Sequence, residues 1–241
     1  MLTKRFVEGA RAIRDIDWQR ARDALNTDGV AVIPSLLSAD ECADLRARYA
    51  DSAQFRSRVV MQRHNYGRGE YQYLSYPLPP VVQRLRESFY PPLAQIANDW
   101  ATSLHEPQRY PAAPAEYLAQ CHAAGQTRPT PLLLRYGEGD YNCLHQDLYG
   151  SLAFPLQMAV LLSEPGEDFS GGELVLVEQR PRMQSRPLVV PLRRGDAAVF
   201  AVNQRPAAGA RGMHRVKLRH GVSRLLSGER YTLGIIFHDA Q

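Results

Sequence analysis

The sequence predicts a mainly β fold with flanking helices (α+β), a sandwich or jelly roll buttressed on one face by helices from the N-terminal half. Three observations carry that expectation. From Leu132 to His238 short β-type runs alternate with turns, the rhythm of an all-β core. Helical periodicity is confined to the stretch before residue 105. The chain has 241 residues, 44% apolar and 22% charged, an ordinary composition with enough material for one core. One domain over 1–241 is therefore expected, with 1–130 as helical and loop support and 131–241 as the β core.

In chain order, an amphipathic stretch from Trp18 to Leu25 reads as a helix, and Gly29-Val-Ala-Val-Ile-Pro34 as a strand. Ser38 with Glu41 three residues on is a capping box, and its helix keeps Cys42 and Leu45 on one face. The segment from Met61 to Tyr76 is aromatic, basic and Gly-containing without clean periodicity, and reads as a loop-rich surface segment. Leu93, Ile96, Ala97, Trp100, Ala101 and Leu104 form one stripe, which predicts a core-packed helix after Pro91-Pro92. A Pro- and Ala-rich connection at 111–131 follows. Strands are then expected at Leu132–Tyr136, Leu156–Leu162, Glu173–Glu178, Leu188–Leu192, Ala197–Val202, Val216–Leu218 and Tyr231–His238.

Composition also excludes several classes. No apolar run approaches the length of about 20 residues that spans a bilayer, and Met1 to Glu8 lacks the apolar stretch of a secretory signal. Cys42, Cys121 and Cys143 are far apart and form no CxxC pair, which argues against a disulfide framework or a thiolate zinc site and fits a cytoplasmic protein. A net charge of +4 permits a polyanionic partner without demanding one.

The chemistry is concentrated late in the chain. In His145-Gln-Asp147 two ligand-type side chains stand at i and i+2, a spacing that on a strand sends both to one side and lets them chelate one ion. A third ligand from a distant strand would complete a two-His, one-carboxylate triad with open positions, the arrangement used for Fe(II) and oxygen chemistry. Taken alone, HxD is a weak signal that surface residues produce by chance.

Its surroundings make it specific. Leu134-Arg-Tyr136-Gly-Glu-Gly139-Asp-Tyr-Asn-Cys-Leu-His145-Gln-Asp147 resembles the "RY..G.....H.D" block of the Fe(II)/2-oxoglutarate dioxygenases, in particular the prolyl 4-hydroxylase-like branch. His220-Gly-Val222-Ser-Arg-Leu-Leu-Ser227-Gly228-Glu-Arg230-Tyr231 resembles the same family's "H.V....SG.RY" block. Gly171-Gly-Glu-Leu174 and Gly195-Asp-Ala-Ala-Val-Phe200 resemble two strand entries between them. The likeness covers about 130–241. It implies a double-stranded β-helix (cupin-like jelly roll), Fe(II) on His145, Asp147 and His220 as the catalytic metal ligands, and 2-oxoglutarate and O2 as cosubstrates. It further implies Arg230 and Tyr136 as the groups that hold the distal carboxylate of 2-oxoglutarate. His214 is a rival for the third ligand, but only from His220 does the Arg-Tyr pair fall ten and eleven residues on. Cys143 is expected as a small buried residue of the first strand.

Two segments could face a substrate. The 61–76 stretch interleaves Arg63 and Arg68 with Tyr66, Tyr71 and Tyr73, and the 178–187 connection carries Arg180, Arg182 and Arg186. Cations between stacking rings suit single-stranded nucleic acid or a flipped base. The later region, including His145-Gln-Asp-Leu-Tyr-Gly150, also resembles a bacterial oxygenase family labelled as acting on alkylated, damaged DNA. An alkylated nucleobase, a protein side chain and a small metabolite stay open as substrates. A cupin-like metal-binding sensor without turnover and a basic nucleic-acid-binding module are the two non-catalytic alternatives.

Overall fold

The computed structural model describes residues 13–148, 150–209 and 212–241. The Met1 to Glu8 segment and Tyr149 lie outside the described residues.

Helix α1 (Trp18–Asp28) is capped by the Asp17 carboxylate, which accepts from the Arg20 N–H, and it buries Ala21 and Leu25. Gly29 ends it at φ 75°, where a Cβ would come within 2.6 Å of the Leu218 side chain, so glycine is required both by conformation and by space. After β1 (Val30–Ile33), helix α2 (Ala39–Arg48) starts on the expected Ser38–Glu41 capping box, with both reciprocal bonds present.

The 61–76 segment departs from the loop expectation. Strands β2 (Phe55–Val60), β3 (Gly67–Arg68) and β4 (Glu70–Leu74) surround a single helical turn at Met61–His64. The alternation of β4 is hidden in the sequence because its inner face buries an amide: Gln72 donates to the Tyr49 carbonyl at 2.9 Å. Helix α3 (Pro80–Ser103) starts well before the expected point and runs through Pro91 and Pro92. Its buried stripe continues upstream through Phe89, Leu85 and Val82. That burial outweighs the two ladder bonds the prolines cannot donate. Trp100 is core, as expected, and its indole N–H donates to Asn26 at 2.7 Å, tying α3 to the end of α1. The 111–131 connection holds a further helix, α4 (Pro114–Ala123), with proline in its first turn and Tyr117 and Cys121 buried.

The β core follows as β5 (Leu132–Tyr136), β6 (Tyr141–His145), β7 (Leu156–Leu161), β8 (Phe169–Gly171) and β9 (Leu174–Gln179). It continues as β10 (Arg186–Val190), β11 (Ala197–Ala201), β12 (Gln204–Gly209), β13 (Gly212–Val222), β14 (Leu225–Gly228) and β15 (Arg230–Ile236). A seven-stranded antiparallel sheet has the order β1-β11-β7-β15-β5-β4-β2, and a second runs β10-β9-β13-β6-β3 with β12 added on β13. We call these the major and minor sheets. In β13 the exposed Arg215, Lys217 and Arg219 alternate with the buried Val216, Leu218 and His220, so one strand presents a basic outer face and a core-facing inner one.

Two buried ionic clusters tie distant segments together. Asp239 accepts from Arg86 at 2.7 Å, from the Tyr76 hydroxyl at 2.9 Å and lies 2.9 Å from His122 Nε2, fixing the C-terminal end of the chain to α3 and α4. Glu178 is ion-paired with the fully buried Arg205, with Arg180 of the following loop and with Arg186 at the start of β10. No helix among the described residues is long and apolar enough to cross a membrane.

Candidate active site

Strand pairing sets the centre of the site. Antiparallel register places His220 of β13 directly opposite His145 of β6, and their rings lie 4.2 Å apart. The close approach depends on Gly221, whose added Cβ would lie 2.6 Å from the Asn142 carbonyl oxygen of β6. Asp147, just beyond the end of β6, turns its carboxylate between the two imidazoles. Oδ1 is 3.4 Å from His145 Nε2 and Oδ2 is 3.3 Å from His220 Nε2. One ligand atom from each of the three lies within 4.8 Å of the others. His145 Nδ1 is 2.7 Å from the Cys143 carbonyl, an acceptor only, so Nδ1 carries the proton and Nε2 keeps its lone pair toward the centre.

Electrostatics match that reading. Burial alone would raise the Asp147 carboxyl, but the imidazoles of His145 and His220 on either side of it hold it well below the usual carboxylate range. For His220 burial dominates and lowers its pKa despite the Asp147 carboxylate. For His145 burial is outweighed by Asp147 and the Cys143 carbonyl, so its pKa is raised. A carboxylate and two imidazoles in a half-buried cluster form a set of borderline-to-hard ligands suited to a first-row divalent ion.

Arg230 and Tyr136 are also direct cross-strand partners, on β15 and β5 of the major sheet. Arg230 is 3% exposed. One terminal nitrogen donates to Thr232 Oγ1 at 2.6 Å, Nε has no partner, and among the described residues no carboxylate lies within ion-pair distance of it. The buried Tyr136 hydroxyl makes no well-formed hydrogen bond, and burial pushes its pKa up to about 12 against the opposing pulls of Arg230 and the neighbouring Asn142 side chain. Burial lowers the Arg230 pKa. A buried cation beside an unsatisfied hydroxyl is a costly arrangement unless an anion joins them.

All five side chains line one cavity of about 430 Å³ that opens to solvent beside Tyr66. Of the residues expected to meet substrate, Tyr66 lines it, as do Tyr71 and Tyr73 of the same segment. Arg63, Arg68, Arg182 and Arg186 are exposed and do not. Arg186 is engaged with Asp28 at 2.9 Å as well as with Glu178, and Arg68 sits 3.8 Å from Asp140. His214 lies six residues from His220 along β13, paired with Ala207 and outside the ligand cluster. Cys143 is exposed, contrary to expectation, because β6 is covered on its outer side only by the short β3 and none of its five residues is fully buried. Gln157 was missed. It is the one polar side chain in the apolar β7, an anomaly that could have singled it out, and its Nε2 lies 3.0 Å from His220 Nε2.

Residues 69–240 match the model of the Oxygenase-NA family, described as an oxygenase catalysing oxidative methylation of damaged DNA. The chain belongs to the Oxygenase-NA family. The span that matches it opens immediately before β4 and closes after β15, so it holds His145, Asp147, His220, Arg230, Tyr136 and Gln157, while Tyr66 lies just ahead of it. The chain is also 46% identical over 200 residues to the uncharacterized protein Rv2227 of Mycobacterium tuberculosis, covering 81% of this chain and 86% of that one. Among solved structures, the Oxygenase-NA chain is similar to an oxidoreductase of the 2OG-Fe(II) oxygenase family from Burkholderia pseudomallei, with a TM-score of 0.53, 15% identity and 97% of each chain covered. A Trichoplax adhaerens prolyl hydroxylase, in complex with a hypoxia inducible factor oxygen degradation domain peptide fragment, gives 0.53 and 15% with 91% of this chain and 87% of that one covered. A Pseudomonas putida prolyl-4-hydroxylase gives 0.51 and 15% with 93% and 99% covered. At such identity the likeness is one of fold, and it agrees with the expected jelly-roll core.

Proposed function

We propose that this oxygenase depends on Fe(II) and 2-oxoglutarate, with His145, Asp147 and His220 as metal ligands and Arg230 and Tyr136 as the anchor of the distal carboxylate. One observation carries the reading: a single cavity brings three metal-ligand atoms together with a buried guanidinium and hydroxyl that lack an anion. When bound, the iron and 2-oxoglutarate would supply oxidative decarboxylation, giving succinate and CO2 and inserting one oxygen atom of O2 into a substrate C–H bond. The chain's own part is positional. Asp147 supplies the negative charge, His145 is held in its ligating tautomer by the Cys143 carbonyl, and Arg230 offers a forked, permanently charged donor set to a carboxylate. The burial of Arg230 and Tyr136 keeps the distal carboxylate end from water, while the His145 side stays open for substrate.

For the substrate we favour an alkylated nucleobase, in accord with the family's description. Support comes from the mouth, where His64 and Tyr66 stack at 5.3 Å and Tyr66, half exposed, continues into the Tyr71–Tyr73 pair inside. Such rings hold a planar base by stacking. Hydroxylation of an N-methyl group would release it as formaldehyde. We read 1–241 as one functional unit working in the cytoplasm, where its three free cysteines stay reduced.

The test is succinate formation by anaerobically iron-loaded protein on admitting O2, alone and with methylated oligonucleotides or proline-rich peptides. Iron-dependent succinate, stimulated by the methylated strand and lost in His220→Ala, is the expected result. Stimulation by the peptide alone would move the substrate to protein, and bound iron without succinate would leave a metal-binding sensor.

A further inference from the structure

Gln157 lies where the cavity meets the metal-ligand cluster. It is 6% exposed, its Nε2 is 3.0 Å from His220 Nε2, and its Oε1 has no hydrogen-bond partner. Its cross-strand neighbours, Phe200 on β11 and Ile236 on β15, are apolar and offer the amide nothing. Arg230 stands six residues before Ile236 on β15, roughly 20 Å of strand away, so Gln157 and Arg230 mark opposite ends of the cavity. The ligand cluster is at the Gln157 end.

A metal ion on His220 would take the lone pair that the carboxamide now faces. Gln157 would then hold a buried amide with two donors and an acceptor and no protein partner, a state that costs free energy unless a ligand relieves it. At that end a 2-oxo acid chelating the ion would present its oxygen-bearing head as an acceptor. We propose that Gln157 is a positioning residue that donates a hydrogen bond to the metal-chelating end of the 2-oxo acid, as Arg230 does to the distal end. This rests on the proposed function, and adds a second, separate point of recognition.

The experiment uses full-length protein loaded with Mn(II) in place of iron and titrated calorimetrically with Mn(II), then with 2-oxoglutarate, then with oxalate, which has the chelating oxygens but no distal carboxylate. Gln157→Leu, close in shape but without the amide, is expected to bind Mn(II) within threefold of the unsubstituted protein and both acids at least tenfold more weakly. Arg230→Ala is expected to weaken 2-oxoglutarate and spare oxalate. Gln157→Glu keeps the polarity but sets a carboxylate against an anionic ligand, and is expected to weaken both acids further, which keeps the test available if the leucine variant fails to fold. Unchanged affinity for both acids overturns the assignment. So does a parallel fall in Mn(II) affinity, which would make Gln157 a prop for His220. If the unsubstituted protein binds Mn(II) but neither acid, the proposed function itself fails and Gln157 falls with it.

Discussion

His145 and His220 are oriented by different means. A backbone carbonyl fixes His145, whereas His220 Nδ1 has no partner and its ring is held by packing against Phe200, 4.7 Å away, and by Gln157. Replacing either ligand should nevertheless abolish metal binding, since two ligands do not hold a first-row ion against water. His214→Ala should leave it intact, and metal titration of His220→Ala and His214→Ala side by side checks both. Arg230→Ala should cost about 2–5 kcal/mol in 2-oxoglutarate affinity, the range found when one partner of a buried charge pair is removed. Unchanged affinity would move the anchor elsewhere. That these residues would meet was legible in the sequence through the two blocks that resemble those of the dioxygenase family, since HxD alone is a weak signal; the structure brings them to one cavity. Gln157 was not, because a single amide in an apolar strand has no spacing partner, and only the fold reveals that it meets His220.

At the scale of the element, the site depends on how closely β6 and β13 approach. Gly221→Ala would press a methyl group against the Asn142 carbonyl and push the strands apart. We expect at least a tenfold loss of metal affinity with the secondary structure retained, measured by metal titration and circular dichroism. An unchanged affinity would mean the strands can give without moving the ligands. Ser38→Ala should cost about 1 kcal/mol of stability through loss of the capping box, without effect on metal binding. The same scale explains where sequence reading of the fold succeeded. Leu132–Tyr136 and the α2 start carry strong local signals, an apolar β-type run and a capping box. β4 carries no strand signal in the sequence because Gln72 occupies its buried face. The early start of α3 was missed because two prolines are local helix breakers, and the burial of Phe89, Leu85 and Val82 that overrides them is a tertiary effect.

Across the whole molecule, the C-terminal segment is locked by groups that titrate. Burial, aided by Arg86, depresses the His238 pKa to about 4, while Nδ1 accepts the Phe154 N–H at 3.1 Å. A histidine kept neutral in the folded state contributes stability that is complete above its unfolded pKa near 6.5. That stability is lost as pH falls toward 4, because the unfolded chain takes up the proton first. The loss should amount to about 3 kcal/mol. Denaturant midpoints from pH 7 to pH 4 should fall accordingly, and less steeply in His238→Gln. Equal slopes would assign the acid sensitivity to other groups.

The division of ligands between the sheets has a mechanical consequence. His145 and His220 belong to adjacent strands of the minor sheet, whereas Arg230 and Tyr136 belong to the major one. A metal ion alone fastens together strands already paired. A 2-oxo acid chelated to that ion and gripped by Arg230 would act as a rivet through the sandwich, clamping one sheet to the other. Heat should report it: the melting temperature should rise more with metal and 2-oxoglutarate together than with the sum of each alone. Oxalate, too short to reach Arg230, should join the sheets only through the metal and Gln157 of β7 and raise the melting temperature less than 2-oxoglutarate does.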